Sequence, residues 1–153
     1  MIKINFAKTI HIDLIAELET MHFFGEAYSK STIENFVSNN YKLKNNTNIF
    51  VVENDDELIG YAIFSIMDDF TDIYKIFIRE SDRLKGYGTM LIDKIIELAK
   101  RYNSKKLMIE VRKNNKTAAS FYITNNFKNI STRKNYYKNP PDDALIYERL
   151  LIC

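Results

Sequence analysis

The chain has 153 residues, which is enough for one domain with a single hydrophobic core, and its 46% hydrophobic and 27% charged residues are typical of a globular protein. Its 22 basic and 20 acidic residues leave a net charge of +2, which argues against a nucleic-acid partner. Since no apolar run approaches the roughly 20 residues of a membrane span, we expect a cytoplasmic protein that binds neither nucleic acid nor membrane.

The first third of the chain predicts one strand and two helices. IKINF (2–6) alternates between apolar and polar residues, which is typical of a strand. TIHIDLIAELETM (9–21) has apolar residues at helical spacing, and Thr9 is its predicted N-cap. SKSTIENFVSNN (29–40) predicts a second helix, in which Ser31-x-x-Glu34 resembles a capping box.

Strands and the clearest helix follow. The predicted strands are NIFVVEN (48–54), ELIGYAIFSIM (57–67) and DIYKIFI (72–78). The helix is predicted from apolar residues at one face, namely Leu91, Ile95, Leu98, Ala99 and Tyr102.

The last third predicts a strand, a helix and two closing strands. KKLMIEV (105–111) is the strand, and KTAASFYITN (116–125) is the helix, with Asn115 as its N-cap and Asn125-Asn126 at its end. FKNIS (127–131) and ALIYERLLI (144–152) flank the turn KNPPDD.

This order of elements predicts an α/β fold in a single domain spanning residues 1–153. We expect a mixed sheet of about six to seven strands with about four flanking helices. The sheet starts antiparallel and contains a parallel crossover through the long helix.

Two of only 4 glycines, Gly86 and Gly88, lie in DRLKGYGTML (82–91), between a strand and the start of the clearest helix. A helix start offers free N–H groups and a positive dipole end, and Arg83 and Lys85 add charge, so a phosphate or pyrophosphate is a natural ligand. A simple tight turn is the alternative. No lysine precedes Thr89, as a P-loop requires, and the third glycine of a dinucleotide fingerprint is absent.

The pattern Arg83-x-x-Gly86-x-Gly88 resembles the pyrophosphate signature of the GNAT acetyltransferases, which bind acetyl-CoA. Downstream, IEVRKNNKTAASFY, NNF, RKNYY and DDA resemble the C-terminal half of the RimI-type enzymes, the ribosomal-protein-alanine N-acetyltransferases. The likeness covers residues 72–150 in motifs and the first 70 residues only in the order of elements.

The resemblance implies acetyl-CoA as the acetyl donor. Neither His11 nor His22 lies in a metal-binding pattern, so we expect no metal. The resemblance also implies that backbone groups of one strand pair with the pantetheine arm, that the glycine loop cradles the pyrophosphate, and that an asparagine holds the cofactor. The implied cofactor-binding residues are Ile76, Phe77, Ile78, Arg83, Leu84, Lys85, Gly86, Tyr87, Gly88, Thr89 and Asn115.

Glu110 and Tyr122 are the candidate catalytic residues. Strand alternation sends Met108, Glu110 and Arg112 to one face, and a carboxylate in a central strand suggests a cleft, although Glu110 could also be exposed or pair with Arg112. Core packing alone would explain Tyr122. The resemblance implies that Glu110 is the general base and that Tyr122 gives a proton to the CoA thiolate.

No Ser-His-Asp or Cys-His pattern is present, so we expect direct attack by the amine. The lone cysteine, Cys153, is predicted to be chemically incidental.

Three tyrosines are candidate substrate-binding residues. The resemblance implies that Tyr136 and Tyr137 lie on the loop before the last strand and line the slot for the acceptor's N-terminus. The other wall departs from the family, because Ala27-Tyr28-Ser29 stands where RimI-type enzymes carry Pro-Trp-Ser. Acidic residues at 68, 69, 72, 142 and 143 would attract a basic acceptor if they border the slot.

Three functions are open on the sequence. The first is acetylation of a protein's N-terminal α-amine, as on an Ala-initiated ribosomal protein. The second is acetylation of a small amine such as a polyamine, an amino-acid derivative or an aminoglycoside. The third is a non-catalytic acetyl-CoA-binding module. The sequence leaves the oligomeric state open, as monomer or homodimer.

Overall fold

A computed structural model describes residues 1–23, 25–40 and 42–151, so Cys153 lies outside the described residues. These residues form a seven-stranded sheet in the order β1-β2-β3-β4-β5-β7-β6, and four α-helices. The strands are β1 (Ile2–Phe6), β2 (Thr47–Asn54), β3 (Glu57–Ile66), β4 (Phe70–Ile78), β5 (Lys106–Arg112), β6 (Lys128–Lys138) and β7 (Pro141–Leu150). The helices are α1 (Ile12–His22), α2 (Lys30–Ser38), α3 (Tyr87–Arg101) and α4 (Lys116–Thr124).

The sheet is mixed, as the sequence predicts. Every neighbouring pair of strands is antiparallel except β4 and β5, which are parallel and joined through α3. The parallel pairing runs only from Phe70↔Lys106 to Ile73↔Ile109. The register between β3 and β4 shifts at this point, and Tyr74 is the additional residue on β4. Beyond Ile73, β4 therefore pairs with β3 alone, and a gap opens between β4 and β5.

Each face of the sheet buries a separate hydrophobic cluster. On one face, α3 and α4 bury Leu91, Ile95 and Tyr122 against the inward side chains of β5. On the other face, α1 and α2 bury residues such as Ile15 and Ile33 against β2, β3 and β4. β5 alternates as predicted, since its odd-numbered residues 107, 109 and 111 are buried on the α3 face and its even-numbered residues are half-buried on the other.

The predicted caps are partly wrong. Thr9 begins a short 3₁₀ turn and caps nothing, and α1 starts only at Ile12. The cap of α2 is Ser29, whose Oγ accepts from the N–H of Thr32 at 3.2 Å, so the box predicted at Ser31 lies two residues too late. The predicted caps of α4 are confirmed. Asn115 Oδ1 accepts from the N–H of Ala118 at 3.1 Å, and Asn126, just beyond the helix, has a φ of 67°.

The last hairpin is longer than predicted. β6 and β7 pair as far as Tyr137↔Asp142 and Lys138↔Pro141, so Tyr136 and Tyr137 lie on a strand and the prediction of a loop is wrong. A register shift between Arg133 and Tyr137 makes this possible.

No helix in the described part of the chain has both the length and the apolar character of a membrane span.

Candidate active site

The glycine loop presents a row of unused backbone donors. From Leu84 through Thr89, no N–H group has a hydrogen-bond acceptor among the described residues. Leu84 and Gly86 have φ angles of 63° and 88°, and these left-handed conformations curl the chain just before α3. Consecutive free N–H groups at a helix start form a concave anion-binding surface.

The two glycines of this loop have different roles. Gly86 provides the left-handed conformation, and a Cβ built on it would meet nothing within 4 Å. A Cβ on Gly88 would lie 2.8 Å from the ring of Phe121, so Gly88 lets α3 pack closely against α4. The left-handed conformation of Gly86 supports the prediction of an anion-binding loop, whereas Gly88 is explained by the packing of the two helices.

The two basic residues of the loop already contact protein groups. Arg83 Nε donates to the carbonyl oxygen of Ile78 at 2.9 Å, and Lys85 Nζ lies 3.4 Å from Asp82 Oδ1. Arg83 therefore joins the glycine loop to the end of β4. The other guanidinium nitrogens of Arg83 and the exposed Lys85 leave a positive charge beside the free N–H groups.

The end of β4 presents an unpaired edge to the gap. Residues 76–78 pair with β3 on one side, and their other edge faces the space left by β5. Phe77 packs into the cluster under α1 and α2, while Ile76 and Ile78 pack toward the α3 side. These residues therefore offer backbone groups to a ligand in the gap.

Glu110 lies where β4 and β5 diverge. It follows Ile109, the last residue of β5 paired with β4, and its side chain is on the α1–α2 face with 32% exposure. Its Oε1 lies 3.3 Å from Arg133 Nη1 of β6. The carboxylate is therefore held by a cation yet accessible from the open face.

Asp72 provides a second carboxylate beside Glu110. The strand register places it opposite Met108, on the face that Glu110 occupies. Burial, and then the charge of Glu110, raise the pKa of Asp72 to about 6, while the charge of Arg133 lowers it. Two carboxylates and the cation of Arg133 therefore lie close together at the rim of the gap.

Tyr122 lies on the opposite face from Glu110. Its ring is buried in the cluster under α3 and packs edge-on against Phe127 at 5.2 Å between ring centroids. Burial raises the pKa of the Tyr122 hydroxyl, which is therefore protonated at neutral pH. Glu110 and Tyr122 therefore lie on opposite faces of the sheet.

Tyr28 packs on the α1–α2 face of the sheet, and the ring of Tyr137 lies 4.0 Å from the guanidinium of Arg112 on the same face. Burial, and then the charge of Glu19, raise the pKa of Tyr28 to about 12, and Asp72 contributes to the same shift. Burial, and then the charges of Glu26 and Glu110, raise the pKa of Tyr137 to about 12. The rings thus lie within reach of charges at the gap's rim. We define the acceptor slot as the space between Tyr28 and Tyr137 over Glu110.

Tyr136 lies further out than its neighbour. It is 46% exposed, its ring centroid is 5.1 Å from that of Tyr137, and the guanidinium of Arg133 lies 5.5 Å from its ring. Tyr136 therefore belongs to the rim of the acceptor slot.

Most of the predicted acidic residues have structural partners. Asp68 lies before β4, at the end away from the glycine loop, and pairs with Lys44 at 3.5 Å. Asp142 Oδ2 accepts from the backbone N–H of Asn114 at 3.1 Å. Asp72, by contrast, lies on the same face as Glu110, whose charge contributes to its raised pKa.

Sequence reasoning missed a charged network behind Tyr28. The fully buried Glu19 accepts a hydrogen bond from the Tyr61 hydroxyl, and Lys75 Nζ lies 2.5 Å from its Oε1. The backbone N–H of Tyr28 donates to the same oxygen at 3.0 Å. Two signals were present: Glu19 lies on the apolar face of α1, and Lys75 interrupts the apolar strand β4.

Gly60 was also missed. It lies opposite Ile78 in the β3–β4 pairing, and a Cβ built on it would overlap the carbonyl oxygen of Phe77.

Among the described residues, no group of His, Cys, Asp and Glu side chains has a metal-binding arrangement.

Comparison with known proteins identifies the family of the chain. Residues 12–127 match the model of the acetyltransferase (GNAT) family. The chain is 32% identical over 136 residues to a Bacillus subtilis protein provisionally named as a [ribosomal protein bS18]-alanine N-acetyltransferase, covering 88% of this chain and 86% of that protein.

Two solved structures share the fold. The ribosomal-protein-S18-alanine N-acetyltransferase of Escherichia coli superposes with a TM-score of 0.81 at 22% identity, covering 100% of this chain and 96% of the other. An acetyl-CoA-bound GNAT family acetyltransferase of Elizabethkingia anophelis gives a TM-score of 0.74 at 20% identity, covering 98% of each chain.

Proposed function

The chain belongs to the acetyltransferase (GNAT) family, and on that premise we propose that it transfers an acetyl group from acetyl-CoA to the N-terminal α-amine of a protein. The observation that carries the proposal is the position of Glu110, a partly exposed carboxylate on the α1–α2 face at the point where β4 and β5 diverge.

The residues of the gap fit acetyl-CoA, which supplies an acetyl group activated as a thioester. The free N–H groups from Leu84 through Thr89 would hold the pyrophosphate, with Arg83 and Lys85 contributing charge. The open edge of residues 76–78 would pair with the pantetheine amides, and an N–H there would polarise the thioester carbonyl. Asn115, at the start of α4, would contact the cofactor while its Oδ1 caps the helix.

Glu110 would prepare the amine. A protein α-amine has a pKa of about 8, so most of it arrives as the ammonium ion near neutral pH. The carboxylates of Glu110 and Asp72 favour its approach, and Glu110 takes the proton directly or through a water molecule. Arg133 has to yield part of its contact with Glu110 when the ammonium ion binds.

Tyr122 would complete the transfer from the other face of the sheet. The amine nitrogen attacks the thioester carbonyl carbon, the tetrahedral intermediate collapses, and the C–S bond breaks. Tyr122 donates its proton to the departing thiolate sulfur and regains one from solvent. Glu110 passes the first ammonium proton to solvent and then takes the second proton, which the nitrogen loses after its attack, so that a neutral amide remains. Because the two groups lie on opposite faces, base and acid reach opposite sides of the reacting centre.

The choice of a protein N-terminus rests on the slot and on the relatives. The relative in Bacillus subtilis is provisionally named for acetylation of an alanine on a ribosomal protein, and it covers most of this chain. The slot lies on the open face of the sheet between α1–α2 and the β6–β7 hairpin, where an extended chain can leave the site toward solvent. A cytoplasmic ribosomal protein with an N-terminal alanine is therefore the proposed type of acceptor.

Acetylation of a peptide panel tests the proposed acceptor. The panel contains an Ala-first peptide, the same peptide with a blocked α-amine and an internal lysine, and spermidine, and mass spectrometry locates the added acetyl group. We expect acetyl on the α-amine of the Ala-first peptide alone. Acetyl found only on spermidine or only on lysine would contradict a protein α-amine as the acceptor. Acetyl-CoA binding without transfer to any amine would indicate a non-catalytic binding module.

A further inference from the structure

Lys75 lies in a cage of acceptors and aromatic rings that the proposed acetyl transfer does not use. Its Nζ lies 2.5 Å from Glu19 Oε1 and 2.6 Å from the carbonyl oxygen of Glu26. The same nitrogen lies 4.1 Å from the ring centroid of Phe23 and 4.5 Å from that of Tyr28. A carboxylate, a carbonyl and two aromatic faces together form a receptor for an alkylammonium group, and Lys75, with 11% of its side chain exposed, fills it.

The cage adjoins the acceptor slot. Tyr28 belongs to both, with its ring in the cage and its charge environment coupled to Asp72 at the rim of the gap. Glu26 contacts Lys75 through its carbonyl and Arg112 through its carboxylate, two residues beyond Glu110. The cage therefore lies on the far side of Tyr28 from the acceptor slot, and the acceptor's first side chain has to rest against Tyr28.

We propose that Lys75 determines acceptor specificity by filling the ammonium cage behind Tyr28, so that the slot accepts an acceptor whose first side chain is small and uncharged. The inference rests on the proposed function. The filled cage offers no volume to a long side chain. Because Lys75 neutralises Glu19, the cage also offers no unpaired anion to a basic one.

Removal of Lys75 should convert the cage into a site for a basic first side chain. In Lys75→Ala the buried Glu19 carboxylate loses its cation, and the acceptor's own ammonium group can take its place. We measure kcat/KM for otherwise identical peptides beginning with Ala, Leu or Lys. The ratio of Lys-first to Ala-first activity should rise at least tenfold in Lys75→Ala. The surface variant Lys44→Ala, which removes an exposed lysine paired with Asp68, should leave the ratio unchanged.

A second variant separates charge from volume. In both Lys75→Ala and Glu19→Gln/Lys75→Ala the emptied cage offers volume, so the Leu-first to Ala-first ratio should rise at least tenfold. Glu19→Gln/Lys75→Ala has no unpaired carboxylate, so its Lys-first to Ala-first ratio should fall back toward that of the wild type. The double variant also tests the proposal if Lys75→Ala is too unstable to purify.

Wild-type ratios in these variants, with the wild type active on the Ala-first peptide, would overturn the role of Lys75 alone. A wild-type enzyme that acetylates no α-amine in the panel would instead overturn the proposed function, and the specificity role with it.

Discussion

Lys75 and Arg112 lie on the two strands that diverge at the centre of the sheet, and both bind the same residue, Glu26. Lys75 Nζ of β4 donates to the Glu26 carbonyl at 2.6 Å, and Arg112 Nη2 of β5 donates to its carboxylate at 2.7 Å. Arg112 also donates to the carbonyl of Pro140 at 2.9 Å and lies 4.0 Å from the ring of Tyr137. Glu26 thus joins the α1–α2 segment to both strands and, through Arg112, to the β6–β7 hairpin.

Glu26→Gln should weaken acceptor binding without affecting acetyl-CoA. The substitution removes a partly exposed ion pair with Arg112, worth up to about 1 kcal/mol, and loosens the segment that carries Tyr28. We expect the acceptor KM to rise about fivefold, which corresponds to about 1 kcal/mol. Steady-state kinetics and titration of acetyl-CoA measure the two effects. Glu17→Gln, an exposed acid on α1, is the control, and an unchanged KM in Glu26→Gln would remove Glu26 from this role.

Tyr122→Phe should lower turnover without lowering stability. The ring of Tyr122 packs edge-on against Phe121 and Phe127, and a phenylalanine ring can make both contacts. We expect kcat to fall by about 100-fold, the lower end of the usual range for a catalytic proton transfer, since a thiolate leaves readily. Tyr147→Phe, in the same cluster, is the matched control. Equal kcat values in the two variants would assign Tyr122 to packing alone.

Gly60→Ala should disturb the edge that is proposed to bind the cofactor. The new Cβ would overlap the carbonyl oxygen of Phe77 and lie 3.1 Å from Cα of Ile78, so the end of β4 has to move. We expect a loss of stability at the upper end of about 1–3 kcal/mol, together with weaker acetyl-CoA binding. Urea unfolding and calorimetric titration measure these changes.

Gly86→Ala provides the contrast to Gly60→Ala. Its Cβ meets nothing within 4 Å, and its cost of about 1–2 kcal/mol comes from a φ of 88°. A Gly60→Ala protein as stable as the wild type would show that β4 shifts at no cost.

Asp72→Asn should stabilise the protein at neutral pH and have little effect near pH 4. Because the pKa of Asp72 is about 6 in the folded chain and about 3.9 when unfolded, the folded state binds more protons between these values, and stability falls as the pH rises through them. After allowance for partial exposure, we expect the variant to gain about 1 kcal/mol at pH 7.

Urea unfolding at pH 4 and pH 7 measures this difference, and Asp68→Asn, an exposed acid paired with Lys44, is the control. The groups that act on Asp72 are Glu110 of β5, Arg133 of β6 and the buried surroundings. A variant that is less stable than the wild type at pH 7 would contradict the assignment of a destabilising charge to Asp72.

The sequence was sufficient to predict the succession of strands along the chain and the buried and exposed faces of β5, because both follow from local periodicity. It was insufficient for the caps of the first two helices, because Ser29 and Ser31 are chemically equivalent until the chain's entry direction selects one of them. It also misplaced Tyr136 and Tyr137, since a bulge in β6 extends the hairpin beyond the apolar alternation.

The cage around Lys75 could not be derived from local patterns. Glu19 and Lys75 are 56 residues apart, and their pairing depends on how α1 lies across β4. The sequence shows only two charges at apolar positions, whose buried pairing becomes visible once the sheet is assembled. The gap beside Glu110 was foreseeable from the glycine loop and a carboxylate in a central strand, and the family resemblance already named Tyr28 and Tyr137 as candidate walls of the acceptor slot.

The α-amine acetylation rate of the wild type and Glu110→Gln, measured side by side on the Ala-first peptide with saturating acetyl-CoA, tests the central claim most directly. A general base contributes about 10²–10⁴ in rate, so the variant should be at least about 100-fold slower at pH 7 with nearly unchanged acetyl-CoA affinity. The wild type should modify the α-amine and leave the blocked peptide unmodified. Equal rates for the two proteins would remove Glu110 as the base, and modification of the blocked peptide at the same rate would contradict an α-amine acceptor.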